Sequence, residues 1–123
     1  VIALKGAGYR LFEIAVDPST HLLYAATSDH GVSVIDPDTH TVAATIPVNG
    51  DSFLVAVDSD IHTLYSTSFR SGGLAVIDTI DRTVIATVPV GPAPEGLAVD
   101  PATHIVYVAD SDAGTVSIIE PTR

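Results

Sequence analysis

Short runs rich in Val, Ile, Thr and Tyr recur along the chain, and turn residues interrupt them about every ten positions. In the first part of the chain the runs lie near 12–17, 21–28, 32–36 and 41–48. Residues of these types favour strands, and no helical spacing of apolar positions is present. The pattern therefore predicts an all-β protein whose short strands are joined by tight turns.

The second run of a group is apolar at consecutive positions. Residues 21–26 read H-L-L-Y-A-A, and residues 104–109 read H-I-V-Y-V-A. A sheet with one face in water shows alternation, whereas consecutive apolar residues indicate that both faces are covered. The sequence therefore favours sheets that are stacked face to face.

The groups of strands are copies of one unit. Each copy contains Ala-Val-Asp, then a tyrosine, then Val-Ile-Asp or Ile-Ile-Glu. These landmarks lie at 15–17, 24 and 34–36, at 56–58, 65 and 76–78, and at 98–100, 107 and 118–120. A period of about 40 residues with four antiparallel strands is typical of a β-propeller blade. We therefore predict one domain over 1–123, with repeats near 12–52, 53–94 and 95–123.

These repeats resemble those of the YVTN-type β-propeller family. The similarity is carried by residues 96–120 together with 83–91. The Tyr-Val-Thr-Asn core of the family corresponds to Tyr107-Val108-Ala109-Asp110, to Tyr24-Ala25-Ala26-Thr27 and to Tyr65-Ser66-Thr67-Ser68. The resemblance implies a propeller and a secreted, periplasmic or cell-surface location. It brings no catalytic residue, because the family motif is structural.

Three blades do not close a ring, since propellers typically have four to eight. The third unit lacks a fourth strand, and residues 1–5 resemble one. We therefore expect a homodimer of half-propellers, in which residues 1–5 of each chain complete a blade of the other and six blades close the ring. The alternative is that these residues are a piece of a longer propeller.

Composition excludes several classes of function. The chain has 5 Lys and Arg against 15 Asp and Glu, which gives a formal net charge of −10 and argues against binding of nucleic acid or of an anionic membrane. It has no Cys, so disulfides and cysteine chemistry are excluded. No apolar run is long enough to insert into a membrane.

The histidines suggest metal binding, but their positions favour a structural role. His21, His40, His62 and His104 follow turns at one rim, where they are too dispersed to meet at one ion. His30 differs, because it lies in a loop at the other end of the strands. The segment 110–114 starts like a calcium loop but lacks the distal ligands, so a hairpin is the better interpretation.

Any ligand site should lie where the loops surround the propeller axis. The candidate ligand-binding residues there are Tyr9, Arg10, Glu13, His30, Arg70 and Glu95. No catalytic motif is present, and no cofactor is indicated. We therefore expect a non-enzymatic binding or scaffold module for a protein or small ligand. The alternative is a lactonase-like or lyase-like hydrolase with a divalent cation at the axial channel.

Overall fold

The computed structural model describes residue 4 and the segments 10–28, 30–48, 50–91 and 93–120, whose strands form three antiparallel sheets. Blade 1 contains β1 (Leu11–Val16), β2 (Leu23–Thr27), β3 (Val32–Asp36) and β4 (Thr41–Ile46). Blade 2 contains β5 (Leu54–Asp58), β6 (Thr63–Thr67), β7 (Gly73–Asp78) and β8 (Thr83–Pro89). Blade 3 contains β9 (Pro94–Val99), β10 (Val106–Asp110) and β11 (Thr115–Ile119).

The strands pair in chain order within each blade. Blade 1 has the order β1-β2-β3-β4, blade 2 repeats it with β5-β6-β7-β8, and blade 3 follows with β9-β10-β11. The all-β prediction is confirmed, and the four strands expected in the first unit start and end within two residues of those observed. The proposed fourth strand of blade 3, residues 1–5, falls outside the described segments apart from Leu4.

One hydrophobic core lies between blades 1 and 2. Tyr24 and Val34 of blade 1 pack with Val55, Leu64 and Ile77 of blade 2. Tyr24 pairs with Val34 in register, so both side chains belong to one face of their sheet. Burial of each large aliphatic side chain contributes about 1.5–3 kcal/mol, which makes this contact a main source of stability.

A second core joins blades 2 and 3. Tyr65 and Leu74 of blade 2 pack with Val106 and Val108 of blade 3. Blade 2 is therefore covered on both faces, as the consecutive apolar residues of its strands require. Along β10 the buried residues alternate with the exposed ones, so that the described residues leave the second face of blade 3 uncovered. On that face the described segments do not meet the expectation of two covered faces.

The first strands of the blades lie side by side. β1 is in contact with β5, and β5 is in contact with β9. The fourth strands, β4 and β8, form the other edge of their sheets. The inner edge of the three blades is therefore formed by β1, β5 and β9, as in a propeller.

The turns at the far end of the blades are built around aspartate. In the three Asp-Pro turns the carboxylate accepts from the backbone N–H two residues later: Ser19 to Asp17 at 2.9 Å, Asp38 to Asp36 at 2.8 Å, and Ala102 to Asp100 at 2.9 Å. Proline at the second position sets φ for such a turn.

The histidines after these turns have a backbone role. His21, His40 and His104 have φ of 64°, 56° and 64°, and their N–H groups donate to the carbonyls of Asp17, Asp36 and Asp100. Histidine tolerates this left-handed conformation better than most residues do. The repeated histidines therefore close turns, in agreement with the structural interpretation.

Helix is nearly absent from the described segments. One turn of 3-10 helix, Ser59–Ile61, joins β5 to β6. Within those segments, no helix has the length and apolar character needed to span a bilayer.

Candidate functional site

The three phenylalanines of the chain meet at one end of the blades. Phe12 is the second residue of β1, Phe53 directly precedes β5, and Phe69 lies in the loop between β6 and β7. We call this end the loop face; it is formed by the starts of the inner strands and by the loops after the second strands. It is the face on which the sequence places a ligand site.

The rings form a continuous series. The Phe12 and Phe53 centroids are 5.1 Å apart at an interplanar angle of 66°, and those of Phe53 and Phe69 are 5.3 Å apart at 68°. Both are edge-to-face contacts, which aromatic pairs favour over face-to-face stacking. Phe12 is 38% and Phe69 is 42% exposed, so the outer rings remain accessible.

An open pocket of about 290 Å³ surrounds these rings. Its lining residues are Phe12, Ser28, Asp51, Phe53, Phe69, Arg70 and Glu95. We call it the phenylalanine pocket. It brings Arg70 and Glu95, two of the residues predicted from sequence, to one place on the loop face.

The repeat explains part of this arrangement. Phe12 and Phe53 occupy the same position in the first and second copies, where the third copy has Glu95. Phe69 has no counterpart, because serine stands at 28 and 111. The aromatic cluster was missed from sequence, although the paired phenylalanines at the entrance of two inner strands are a signal for it.

Arg70 lines the pocket, and Arg10 lies beside it over one of its rings. The Arg10 guanidinium lies over the Phe12 ring, with Cζ 5.7 Å from the centroid. This is a cation–π distance, and it leaves the guanidinium N–H groups available to solvent. Arg70 is exposed and follows Phe69 directly. In the segments that the structure describes, neither guanidinium is part of an ion pair.

Asp51 supports the loop beneath the pocket. It is buried, and its Oδ1 accepts from Ser68 Oγ at 2.8 Å and from the backbone N–H of Arg70 at 3.4 Å. Ser52 Oγ and Ser66 Oγ are 2.7 Å apart just below. These bonds hold β6 and the β6–β7 loop to the chain before β5, and so they position Phe69 against Phe53.

Glu13 is not part of the pocket. Its Oε1 accepts from the backbone N–H of Val55 at 3.1 Å, across the boundary between blades 1 and 2. The N–H belongs to β5, which is an edge strand of its sheet. Glu13 therefore satisfies a backbone group on the inner edge, and this contact gives it a structural role.

The remaining predicted residues fall elsewhere. His30 lies in the β2–β3 loop, and its backbone N–H donates to Thr27 Oγ1 at 3.0 Å. It does not line the phenylalanine pocket. Tyr9 lies outside the described residues.

The far end of the blades carries a second polar feature. His104 Nδ1 and the buried Asp58 Oδ2 are 2.7 Å apart and join blade 3 to blade 2. His104 also lines an open pocket of about 400 Å³ between these blades. The pair stands at a blade boundary, as expected for an interaction that holds two sheets together.

Tyr24 has a perturbed pKa. Burial between the blades raises the pKa of its phenol, and the nearby Asp17 carboxylate raises it further, while Arg82 acts in the opposite direction. The phenol is therefore held neutral inside the first core.

The described segments contain no group of three His, Asp or Glu side chains placed to hold a metal ion. Glu13 and Glu95, the carboxylates considered for a cation, face different surroundings. The divalent cation of the hydrolase alternative stays a prediction.

Comparison with solved structures agrees with the architecture. The chain is similar to hydrazine synthase of Kuenenia stuttgartiensis, with a TM-score of 0.85, 25% identity and 95% of this chain covered. It is similar to the WD40 repeats of RRP9, with a TM-score of 0.75, 18% identity and 98% of this chain covered. A chain of the mitotic checkpoint complex matches with a TM-score of 0.84, 18% identity and 97% of this chain covered.

The fold is of the β-propeller type. WD40 repeats form propeller blades, and the eleven described strands form three sheets of this kind. The chain spans 34% of the hydrazine synthase chain, 36% of the checkpoint chain and 41% of the RRP9 chain. No family model and no curated protein matches it, so the YVTN family stays a prediction.

Proposed function

We propose that this chain is a non-enzymatic binding module. Three blades form half of a propeller, a second copy closes a six-bladed ring, and the loop face receives a ligand. The propeller fold supports a scaffold role, since such folds present loops around an axis. The extracytoplasmic location is part of the same proposal and depends on the resemblance to YVTN repeats.

The observation that carries self-association is an uncovered sheet face on blade 3. Tyr24, Tyr65 and Tyr107 occupy one repeat position, yet they are 1%, 6% and 37% exposed. Tyr24 packs on blade 2 and Tyr65 packs on blade 3, whereas no blade among the described segments packs on Tyr107. Val116 and Ile118, each 60% exposed, lie on the same face.

The residues suited to cover that face are found on blade 1. Val55 and Val57 of blade 2 face blade 1 in the first core, and their counterparts in the repeat are Ile14 and Val16. Ile14 and Val16 are exposed. Blade 1 of a second copy would therefore offer blade 3 the kind of surface that blade 2 offers blade 1.

Two-fold symmetry would satisfy both contacts at once. Blade 3 of each chain would meet blade 1 of the other, and the ring would close without leftover faces. Three blades from each copy make six, within the usual range of four to eight, whereas three copies would make nine. We therefore propose a dimer.

The test is the mass of the protein in solution, measured by light scattering over a dilution series. We expect twice the chain mass for the wild type. Ile118→Lys places a charge on the uncovered face and should give the mass of one chain. Ile80→Lys is the matched control, because Ile80 is exposed in the turn between β7 and β8, away from that face.

A wild-type protein that stays at the mass of one chain at every concentration overturns self-association. A dimer that Ile118→Lys leaves intact also overturns it, since the association then uses another surface. Crosslinking between blade 1 and blade 3 of different chains would identify the contact directly.

A further inference from the structure

We propose that the phenylalanine pocket binds an extended segment of a partner protein in which an aromatic or aliphatic side chain stands next to a carboxylate. The inference rests on the proposed binding function and specifies its ligand. The ring series supplies the apolar subsite, and the two arginines supply the anionic one.

The apolar subsite is built rather than incidental. Phe53 makes edge-to-face contacts with both outer rings, and so it forms the middle of the series. The loop that carries Phe69 is held by the bonds of Asp51 to Ser68 and to the backbone of Arg70. Exposed aromatic rings with fixed geometry lose little entropy on binding, which suits an anchor for one apolar side chain.

The distribution of basic residues indicates the charge of the ligand. In the described segments the arginines are Arg10, Arg70 and Arg82, of which two stand at this pocket and the third is in the far turn after β7. The chain as a whole has a net charge of −10. A pair of exposed guanidinium groups without ion-pair partners among the described residues is therefore a local exception, and it matches a carboxylate, to which arginine donates two parallel hydrogen bonds.

The acidic residues of the pocket define the orientation. Asp51 is buried and already accepts two hydrogen bonds, so its carboxylate is engaged with the protein. Glu95 is exposed and repels a second carboxylate on its side. We therefore place the carboxylate of the ligand toward Arg10 and Arg70, and its apolar side chain over Phe53.

Tight binding of a cationic ligand is disfavoured by the same arrangement. Arg10 already occupies the space over the Phe12 ring, and Arg70 adds a second positive charge. Nucleic acid is disfavoured by the overall negative charge. An acidic protein segment is the macromolecular ligand that the pocket fits best.

The experiment uses a displayed library of random short peptides as the probe. The library is selected on the wild-type protein after depletion on Phe69→Ala, whose exposed side chain should be removable without unfolding. We expect enrichment of Phe, Tyr, Trp or Leu directly beside Asp or Glu. One selected peptide and its Asn or Gln counterpart are then titrated by calorimetry.

Substitutions separate the two subsites. Arg70→Gln should lower the affinity for the acidic peptide about tenfold and leave the affinity for its amide counterpart nearly unchanged. Glu95→Gln should raise the affinity for the acidic peptide about twofold to threefold. Phe69→Ala should lower the affinity for both peptides about tenfold or more, because it removes an aromatic anchor. Arg82→Gln and Ile80→Ala are matched controls outside the loop face and should leave binding unchanged.

Each contrary result has a distinct meaning. Enrichment of apolar residues beside Lys or Arg overturns the acidic specificity but leaves the loop face as a binding site. The absence of any enrichment over Phe69→Ala overturns the pocket as a peptide site. Both results are independent of the chain mass, so they are distinguishable from a failure of the proposed ring.

Discussion

The packed and uncovered faces of the blades differ in environment far more than in sequence. Tyr24 lies inside the contact between blades 1 and 2, while Tyr107 holds the same repeat position on the uncovered face of blade 3. Their neighbours in sequence are similar, since both follow a histidine turn and stand in a mostly apolar strand. The comparison shows that the repeat produces a sheet with apolar side chains on both faces. Whether a given face is buried depends on whether another blade packs on it.

The largest effect is expected when each of the two tyrosines is replaced by alanine. Tyr24→Ala should lower the free energy of unfolding by about 3–5 kcal/mol at any protein concentration, because it opens a cavity in the first core. In dilute solution, Tyr107→Ala should lower the free energy of unfolding by about 1 kcal/mol or less. Urea unfolding at low and high concentration checks both values.

The concentration dependence sharpens the result. If a second copy covers blade 3, the cost of Tyr107→Ala should grow as the protein becomes more concentrated. Equal losses for the two variants in dilute solution would contradict the difference between the faces.

Glycines at one repeat position provide the next test. Gly31 and Gly114 have φ of 70° and 67°, but a Cβ on Gly31 would meet the carbonyl oxygen of Ile46, whereas one on Gly114 meets nothing within 4 Å. Gly31→Ala should therefore lower the free energy of unfolding by more than about 2 kcal/mol. Gly114→Ala should lower it by about 1–2 kcal/mol, from backbone strain alone. Thermal unfolding measures the difference, and equal shifts would show that the contact at Gly31 relaxes freely.

The boundary between blades 2 and 3 also contains a polar pair. Asp58→Asn weakens the contact with His104 and should lower the free energy of unfolding by about 1–3 kcal/mol. Asp100→Asn is the control at the same repeat position, where the carboxylate accepts from the backbone N–H of Ala102. A loss for Asp100→Asn as large as that for Asp58→Asn would show that the turn, and not the blade boundary, is responsible.

The smallest effect concerns alkaline pH. Because the pKa of Tyr24 is raised in the folded protein, the unfolded chain loses this proton first, near pH 10. Its contribution to stability is complete below that pH and is lost as the pH rises through the folded pKa. Tyr24→Phe should therefore lose less stability than the wild type above about pH 10. Urea unfolding at a series of pH values, with Tyr107→Phe as the control for a lost hydroxyl, tests this, and parallel curves for Tyr24→Phe and the wild type would contradict it.

Local chemistry made most of the fold predictable. Asp-Pro turns, β-branched runs and a period of about 40 residues are short-range signals, so the strands of blade 1 were placed within two residues. The candidate site was predicted in part. Arg70 and Glu95 both line the phenylalanine pocket, whereas Glu13 contacts Val55, a residue far from it in the chain. The phenylalanine cluster was missed because its members come from two blades and three loop or strand ends.

The sequence alone determined the architecture of each sheet, since strand propensity, turn chemistry and repetition act over a few residues. The tertiary structure decided which copies of a repeated residue are buried and which side chains meet at the loop face. Those outcomes depend on how twisted sheets pack beside one another, and packing between blades brings together residues that no local pattern relates.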